Sequence, residues 1–336
     1  MSVTGLAAYR SVSVAPEVAA ERRILPPDVP RRIRLGMPHL DAGGLSENWL
    51  FRDAGDRHWE AIARSLGLPT DEIRSESGER IYPTVVAARA RYDVPLARVR
   101  ENDLFEAAAE VVPCGRACAH GRVVAAIGGQ QGRFVLELLT TFAARGAGGA
   151  LRMAALEPRL ARRWIPVGGE PAIATLARAA RRGEPLDDPF AGPVMAMQAT
   201  PLAALAYEPS PYADYNGAGL LYFASYVTIA DSAERQLVRR LGLDRYRRAD
   251  VGGLRNPPRA FRADGPRDWA LMTSTVRRDI FYYENLPLGA ALTATLLAFE
   301  EDSSGVTTRV RFSRAGGDGR PMADIVTRRV FVRGAR

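Results

Sequence analysis

The chain of 336 residues contains no lysine: all 46 of its basic residues are arginine. This absence excludes Schiff-base chemistry on a lysine amine and the phosphate-binding lysine of a P-loop, and with them pyridoxal enzymes and Walker-type ATPases. Cysteine is nearly as scarce. Cys114 and Cys118 are the whole complement, too few to staple a chain of this length and in keeping with a reducing compartment. No apolar run approaches the roughly 20 residues that span a bilayer, and the first residues lack the basic start and apolar core of a secretory signal. A cytoplasmic protein with no membrane partner is therefore expected.

What is present points to a packed globular chain. Hydrophobic residues make up 47% and charged residues 25%, a balance that excludes disorder or a fibrous class for the bulk. The length exceeds one hydrophobic core, so two units of roughly 130 residues each are expected. The formal charge of +8 is carried by guanidinium groups, which fork onto phosphates. Such a surface suits a coenzyme A phosphate or an acidic carrier protein, or is simply solvated. No nucleic-acid motif accompanies the dispersed arginines, so nucleic acid is not expected as a partner.

The chain divides into an N-terminal arm (1–32), a first unit (33–164), a connection with a short helix near 171–182 (165–205) and a second unit (206–336). The division rests on an internal repeat. Residues 43–68, GGLSENWLFRDAGDRHWEAIARSLGL, align without a gap on 218–243, AGLLYFASYVTIADSAERQLVRRLGL, at an offset of 175. Gly44, Leu45, Asp56, Arg64, Leu66, Gly67 and Leu68 recur as Gly219, Leu220, Asp231, Arg239, Leu241, Gly242 and Leu243. Phe223, Val227, Ala230, Leu237 and Leu241 fall at three- and four-residue steps, which predicts a helix over 220–241 with Gly242 as its stop. In the first copy Ser46 is placed to cap the equivalent helix and Gly67 to end it.

After each helix the residues turn to Val, Ile, Thr, Phe and Tyr. Strands are predicted over 81–92, 104–112, 123–127 and 134–143, and again over 273–283, 290–299, 306–312 and 323–332. One long helix followed by an antiparallel meander, twice over, predicts an α+β protein in which a curled sheet wraps a helix in each half.

These elements resemble a double hot-dog protein. More narrowly, Gly36-Met37-Pro38-His39-Leu40, Gly44-Leu45-Ser46-Glu47-Asn48-Trp49-Leu50, Gly55-Asp56-Arg57-His58-Trp59, Thr140-Thr141-Phe142 and Arg277-Arg278-Asp279-Ile280-Phe281-Tyr282-Tyr283 resemble the LnmK-type bifunctional acyltransferase/decarboxylase family of leinamycin biosynthesis, over roughly 33–336. The resemblance implies decarboxylation of methylmalonyl coenzyme A and transfer of the propionyl group to an acyl carrier protein in polyketide assembly. It also implies an acyl-carrying tyrosine, and Tyr82 matches that position by its spacing from the Gly36–Leu40 motif.

The residues themselves leave several roles open. Amides at a helix start are free to donate and sit at the positive end of the dipole. Gly43, Gly44, Leu45 and Ser46, and Asn216 with Gly217, are therefore candidate contacts for a thioester or enolate oxygen, or simply the turns into two buried helices. Asp41 and Glu47 are the carboxylates nearest the first helix start, candidate acid or base groups or else turn and cap residues. His39 is a candidate site-lining residue. Arg277 and Arg278, at the start of a second-half strand, are candidate contacts for coenzyme A phosphates. Cys114, Cys118 and His120 lack the second ligand pair a zinc site needs, and no metal or cofactor is expected beyond the thioester substrate. Gly128-Gly129-Gln130-Gln131-Gly132 lacks a strand–helix context for a dinucleotide and reads as a hairpin loop.

Three functions follow: a decarboxylating acyltransferase loading a carrier protein, a hot-dog thioesterase or dehydratase using Asp41 or Glu47, and a non-catalytic carrier- or subunit-binding module. A homodimer is a further expectation.

Overall fold

The computed structural model describes residues 30–128, 132–146, 151–184, 186–188, 192–194, 201–243 and 272–332. The expected arm lies outside them except for 30–32, as does the centre of the Gly128–Gly132 loop.

The first unit opens with β1 (Arg31–Arg34), then a tight hairpin of β2 (Leu40–Asp41) and β3 (Gly44–Leu45), which feeds helix α1 (Glu47–Leu66). Ser46 caps α1 as its sequence predicts, its hydroxyl accepting from the Trp49 amide at 3.5 Å, and Gly67 closes it at φ 71°. Leu50, Phe51, Ala54, Ala61, Ile62 and Leu66 bury one face of the helix. The strands β4 (Ile81–Tyr92), β5 (Leu104–Gly115), β6 (Cys118–Ile127) and β7 (Arg133–Arg145) follow, with β8 (Leu151–Met153) beside β7. Along β6 every second residue is buried, the period of a strand with one face on a core.

A short helix α2 (Pro158–Ala161) and then α3 (Ala172–Arg182) lead into a small hairpin, β9 (Leu186–Asp188) with β10 (Gly192–Val194), and then β11 (Ala203–Tyr207). Helix α4 (Ser225–Arg240) and the strands β12 (Thr273–Tyr282), β13 (Leu292–Glu301), β14 (Gly305–Arg314) and β15 (Pro321–Phe331) complete the second unit.

Two differences from the sequence reading have clear causes. The second helix begins at Ser225 rather than near Leu220. Asn216 Oδ1 accepts from the amides of Ala218 and Leu220, and the Tyr222 amide donates to the Asp214 carbonyl. These side-chain turns hold the chain in a loop where apolar spacing alone would continue the helix. The second difference is that the two meanders are not separate. Arg277–Phe281 of β12 pair antiparallel with Ala87–Arg91 of β4, giving one eleven-stranded sheet in the order β1-β5-β6-β7-β4-β12-β15-β14-β13-β11 with β8 attached to β7.

That sheet curls around α1 and α4, and one core runs through both halves. Phe51 and Ile62 of α1, Tyr226 of α4, Tyr92 and Phe134 of the first sheet half, and Ile280 and Phe312 of the second belong to it. Helix α1 is also bolted to the start of α4 and to the loop before it: Asn48 Nδ2 donates to the Ala224 carbonyl at 2.8 Å, and Arg52 to the Ala213 carbonyl at 2.9 Å. The outer face near the β4–β12 seam is covered by α3, whose Ile173, Leu176 and Ala180 meet Ala87, Leu139 and Phe281.

Candidate functional site

Strand alternation places Arg278 of β12 on the inner face, between its outward neighbours Arg277 and Asp279. Arg278 is fully buried, and charge this deep needs partners. It finds them across the seam. Its Nε and Nη2 fork onto Glu47 at 2.9 and 2.8 Å, Nη2 also meets Asp231 at 2.6 Å, and Nη1 donates to Thr327 at 3.2 Å. The Tyr92 hydroxyl adds a third bond to Glu47 at 3.1 Å. Arg329 bridges Asp231 and Glu234, and Glu234 also accepts from Thr308 and Thr327. Carboxylate from the first unit and guanidinium from the second thus form a single network where the halves join.

Each group's ionisation follows from this setting. Burial works against the charge on Arg278, but Asp231 and Glu47 hold its pKa well above the ordinary value. Burial likewise opposes the charge on Asp231, which Arg278 and Arg329 nevertheless keep below the usual carboxylate range. Burial, then Glu47, pushes the Tyr92 phenol up, so it stays a neutral donor.

Asp41 stands at the edge of this network, with no arginine of its own among the described residues. It pairs with Gly44 in the hairpin before α1, and its Oδ1 accepts from the Gly43 amide at 2.7 Å. Partial burial, followed by the negative charges of Asp231 and Glu47, raises its carboxyl above the ordinary range against the bonds from Gly43 and Ser46. His39 lines the same hairpin: its Nδ1 lies 2.8 Å from the Gly36 amide, and its ring meets Trp49 edge-on at 4.9 Å.

The amide donors differ from those the sequence suggested. The Gly43 amide is spent on Asp41, the Ser46 amide on the His39 carbonyl, and the Gly44 amide on the hairpin ladder, where Leu45 sits at the alternate, non-bonded position. The Trp49 amide is taken by Ser46. The Glu47 and Asn48 amides, in the first turn of α1, have no partner among the described residues, and they carry the positive end of the helix dipole. At the other helix, Asn216 caps its own loop, and α4 starts eight residues after Gly217, so Asn216 and Gly217 are not at a helix start.

The remaining sequence candidates lie elsewhere. Arg278 cannot meet a coenzyme A phosphate from solvent, being fully buried on Glu47 and Asp231. Arg277 is on the opposite face of the sheet, where it and the β4 residues Arg89 and Arg91 surround Asp279 at 2.6, 3.0 and 3.2 Å. Tyr82 is half-buried under the Arg80 guanidinium, 5.0 Å from its ring centre. It precedes Tyr92 by ten residues on the same strand, about 30 Å away at about 3.3 Å per residue, so Tyr82 and the Asp41–Glu47 cluster are not brought together. His58 is buried, bonded to Thr140 Oγ1 at 2.9 Å, and burial followed by His120 lowers its pKa to about 3. His120 pairs with Glu137 at 3.2 Å, while Cys114 and Cys118 meet each other.

A shallow groove of about 570 Å³ lies at the far end of α1, between Glu60, Arg64, Gly67 and Thr70. Its lining begins at Glu60, thirteen residues along α1 from Glu47 and about 20 Å away, and its charged groups, Glu60 and Arg64, pair with each other at 3.7 Å.

No family model matches the sequence, and no curated protein matches it. Solved structures do. A protein described as an oleoyl thioesterase from Lactobacillus plantarum is 12% identical with a TM-score of 0.56, over 90% of this chain and 95% of its own. The 12:0-ACP thioesterase from Umbellularia californica gives 10% and 0.58 over 90% and 94%. An acyl-ACP thioesterase from Bacteroides thetaiotaomicron gives 12% and 0.52 over 90% and 97%. At such identities the likeness is one of architecture. The chain has the α+β double hot-dog fold.

Proposed function

We propose that this protein hydrolyses acyl thioesters of coenzyme A or of an acyl carrier protein at the start of α1. The observation that carries the reading is Asp41, a carboxyl of raised pKa with no guanidinium partner among the described residues, in the hairpin that leads into a helix start whose Glu47 and Asn48 amides have no partner there either. The thioester oxygen sits on the Glu47 and Asn48 amides, which strengthen their hold as it becomes an oxyanion. Asp41, ionised, takes a proton from the water that attacks the carbonyl carbon. The tetrahedral intermediate then collapses, the departing sulfur takes that proton back from Asp41 and leaves as the thiol, and the acid is released. Glu47 is not the base in this reading, because its two oxygens are held by Arg278 and Tyr92. It fixes the first turn of α1 to the second unit. The thioesterase descriptions of the similar folds are in keeping with this chemistry.

The test is product identity. The protein is incubated with straight-chain and branched acyl-coenzyme A thioesters, including methylmalonyl coenzyme A, with and without a carrier protein, and the products are followed by mass. Free acid and free thiol are expected. Carbon dioxide with an acylated carrier would instead support the decarboxylating acyltransferase reading and its tyrosine, Tyr82. No turnover of any thioester would support a binding module.

A further inference from the structure

Outside the helix-start site, Cys114 and Cys118 face each other across the turn between β5 and β6. The β5–β6 ladder is in register up to Pro113–Ala119, then slips, and resumes at Gly115–Cys118. The slip leaves Cys114 opposite no partner residue and turns its side chain to the side where Cys118 already points. Both sulfurs accordingly pack at the edge of the cluster under α3, are half-buried, and stand 2.7 Å apart, with the Cys114 thiol donating to Cys118. The turn is narrow, since a Cβ on Gly115 would lie 3.3 Å from the Cys118 Cβ. Neither sulfur has a role in the hydrolysis proposed above.

We propose that Cys114 and Cys118 form a thiol–disulfide exchange site, at which a small-molecule disulfide converts the pair into one reversible intramolecular disulfide. Cys118 attacks first. Its thiolate displaces one thiolate from the small disulfide and forms a mixed disulfide. The Cys114 sulfur, already in contact, then attacks the Cys118 sulfur, breaks the mixed bond and expels the second thiolate. The two cysteines lose two electrons and two protons, and the small disulfide gains them as two thiols. The donated hydrogen bond is consistent with this order, because it favours the Cys118 thiolate and holds the proton on Cys114.

The test equilibrates the reduced protein with oxidised glutathione, blocks remaining thiols with iodoacetamide, and measures intact mass and tryptic peptides. Arg116 lies between the two cysteines, so cleavage there leaves two peptides that only a Cys114–Cys118 disulfide holds together. The expected result is a mass lower by two hydrogens, no alkylation, the linked peptide pair, and full reversal by dithiothreitol. Cys114→Ser should stop at a glutathione adduct on Cys118 that outlives the wild-type adduct at least tenfold. Two alkylated thiols in the wild type, a lasting glutathione adduct, or a disulfide between chains would each overturn the proposal. The wild-type measurement decides it even where a variant fails to fold.

Discussion

Replacing Arg278 with Met tests the network that joins the two halves. The guanidinium is fully buried and makes charged contacts at 2.9 and 2.8 Å to Glu47 and 2.6 Å to Asp231. Methionine fills much of the same volume but leaves Glu47, itself 4% exposed, as a buried carboxylate with only the Tyr92 hydroxyl. Asp231 retains Arg329 and is half-exposed, so it adds little. Removing one partner of a buried pair costs about 3–5 kcal/mol, a large share of a total stability of about 5–15 kcal/mol. With a urea m-value of about 3 kcal/mol/M, the unfolding midpoint should fall by about 1 M or more. The double variant Glu47→Gln with Arg278→Met removes the stranded charge and should recover about 1–3 kcal/mol of that loss. Equilibrium unfolding of the two single variants and the double completes the cycle. A loss below about 1 kcal/mol for Arg278→Met, the level of an exposed pair, would refute the reasoning.

Three further outcomes are expected. Asp41 has a raised pKa, so the acid limb of kcat/KM should lie above the ordinary aspartate value of about 3.9, and Asp231→Asn, which removes a repelling charge, should move that limb to lower pH. Gly44 has φ +112°, and a Cβ there would stand 2.3 Å from the Leu96 carbonyl oxygen, so Gly44→Ala should lower the thermal midpoint and displace the 94–99 loop, costing more than about 1 kcal/mol. Buried Asp279 is destabilised by desolvation but held below the usual carboxylate range by Arg91, Arg277 and Arg89. Its contribution is complete above the unfolded pKa of about 3.9 and is lost as pH falls through the lower folded value, so Asp279→Asn should flatten the acid limb of a stability–pH curve while lowering stability at pH 7.

Local signals were legible and long-range ones were not. Ser46, Gly67 and the apolar spacing between them define α1 because caps and periodicity act within a few residues. The start of α4 differs from its spacing because Leu220–Ala224 continue an apolar pattern, whereas Asp214 and Asn216 bend the chain through bonds that spacing does not register. β11 straddles the expected boundary at 205/206 with no strand signal of its own, because it holds its place only as an edge partner of β13. The Glu47–Arg278 pair joins residues 231 positions apart, and no local pattern announces it. A signal did exist. Glu234 sits four residues after Ala230 and three before Leu237 on α4, so it shares their buried face, and Arg278 and Arg329 occupy strand positions that alternation turns inward. Charges at positions that must be buried imply partners, and the repeat carries the matching aspartate, Asp231, at the place of Asp56. That the Gly43, Gly44 and Ser46 amides are taken before the helix begins is hidden from the sequence, because the hairpin that takes them is only two residues on each strand.

Hydrolysis measured side by side for the wild type, Asp41→Asn and Tyr82→Phe tests the central claim most directly. On whichever acyl thioester the wild type turns over, Asp41→Asn keeps the side-chain shape and the Gly43 bond but cannot take a proton. Its kcat should fall by at least about 10²-fold, the lower range for loss of a general base, with KM nearly unchanged, while Tyr82→Phe retains activity. Wild-type kcat in Asp41→Asn, or its loss in Tyr82→Phe, would contradict the account and move the chemistry away from the start of α1.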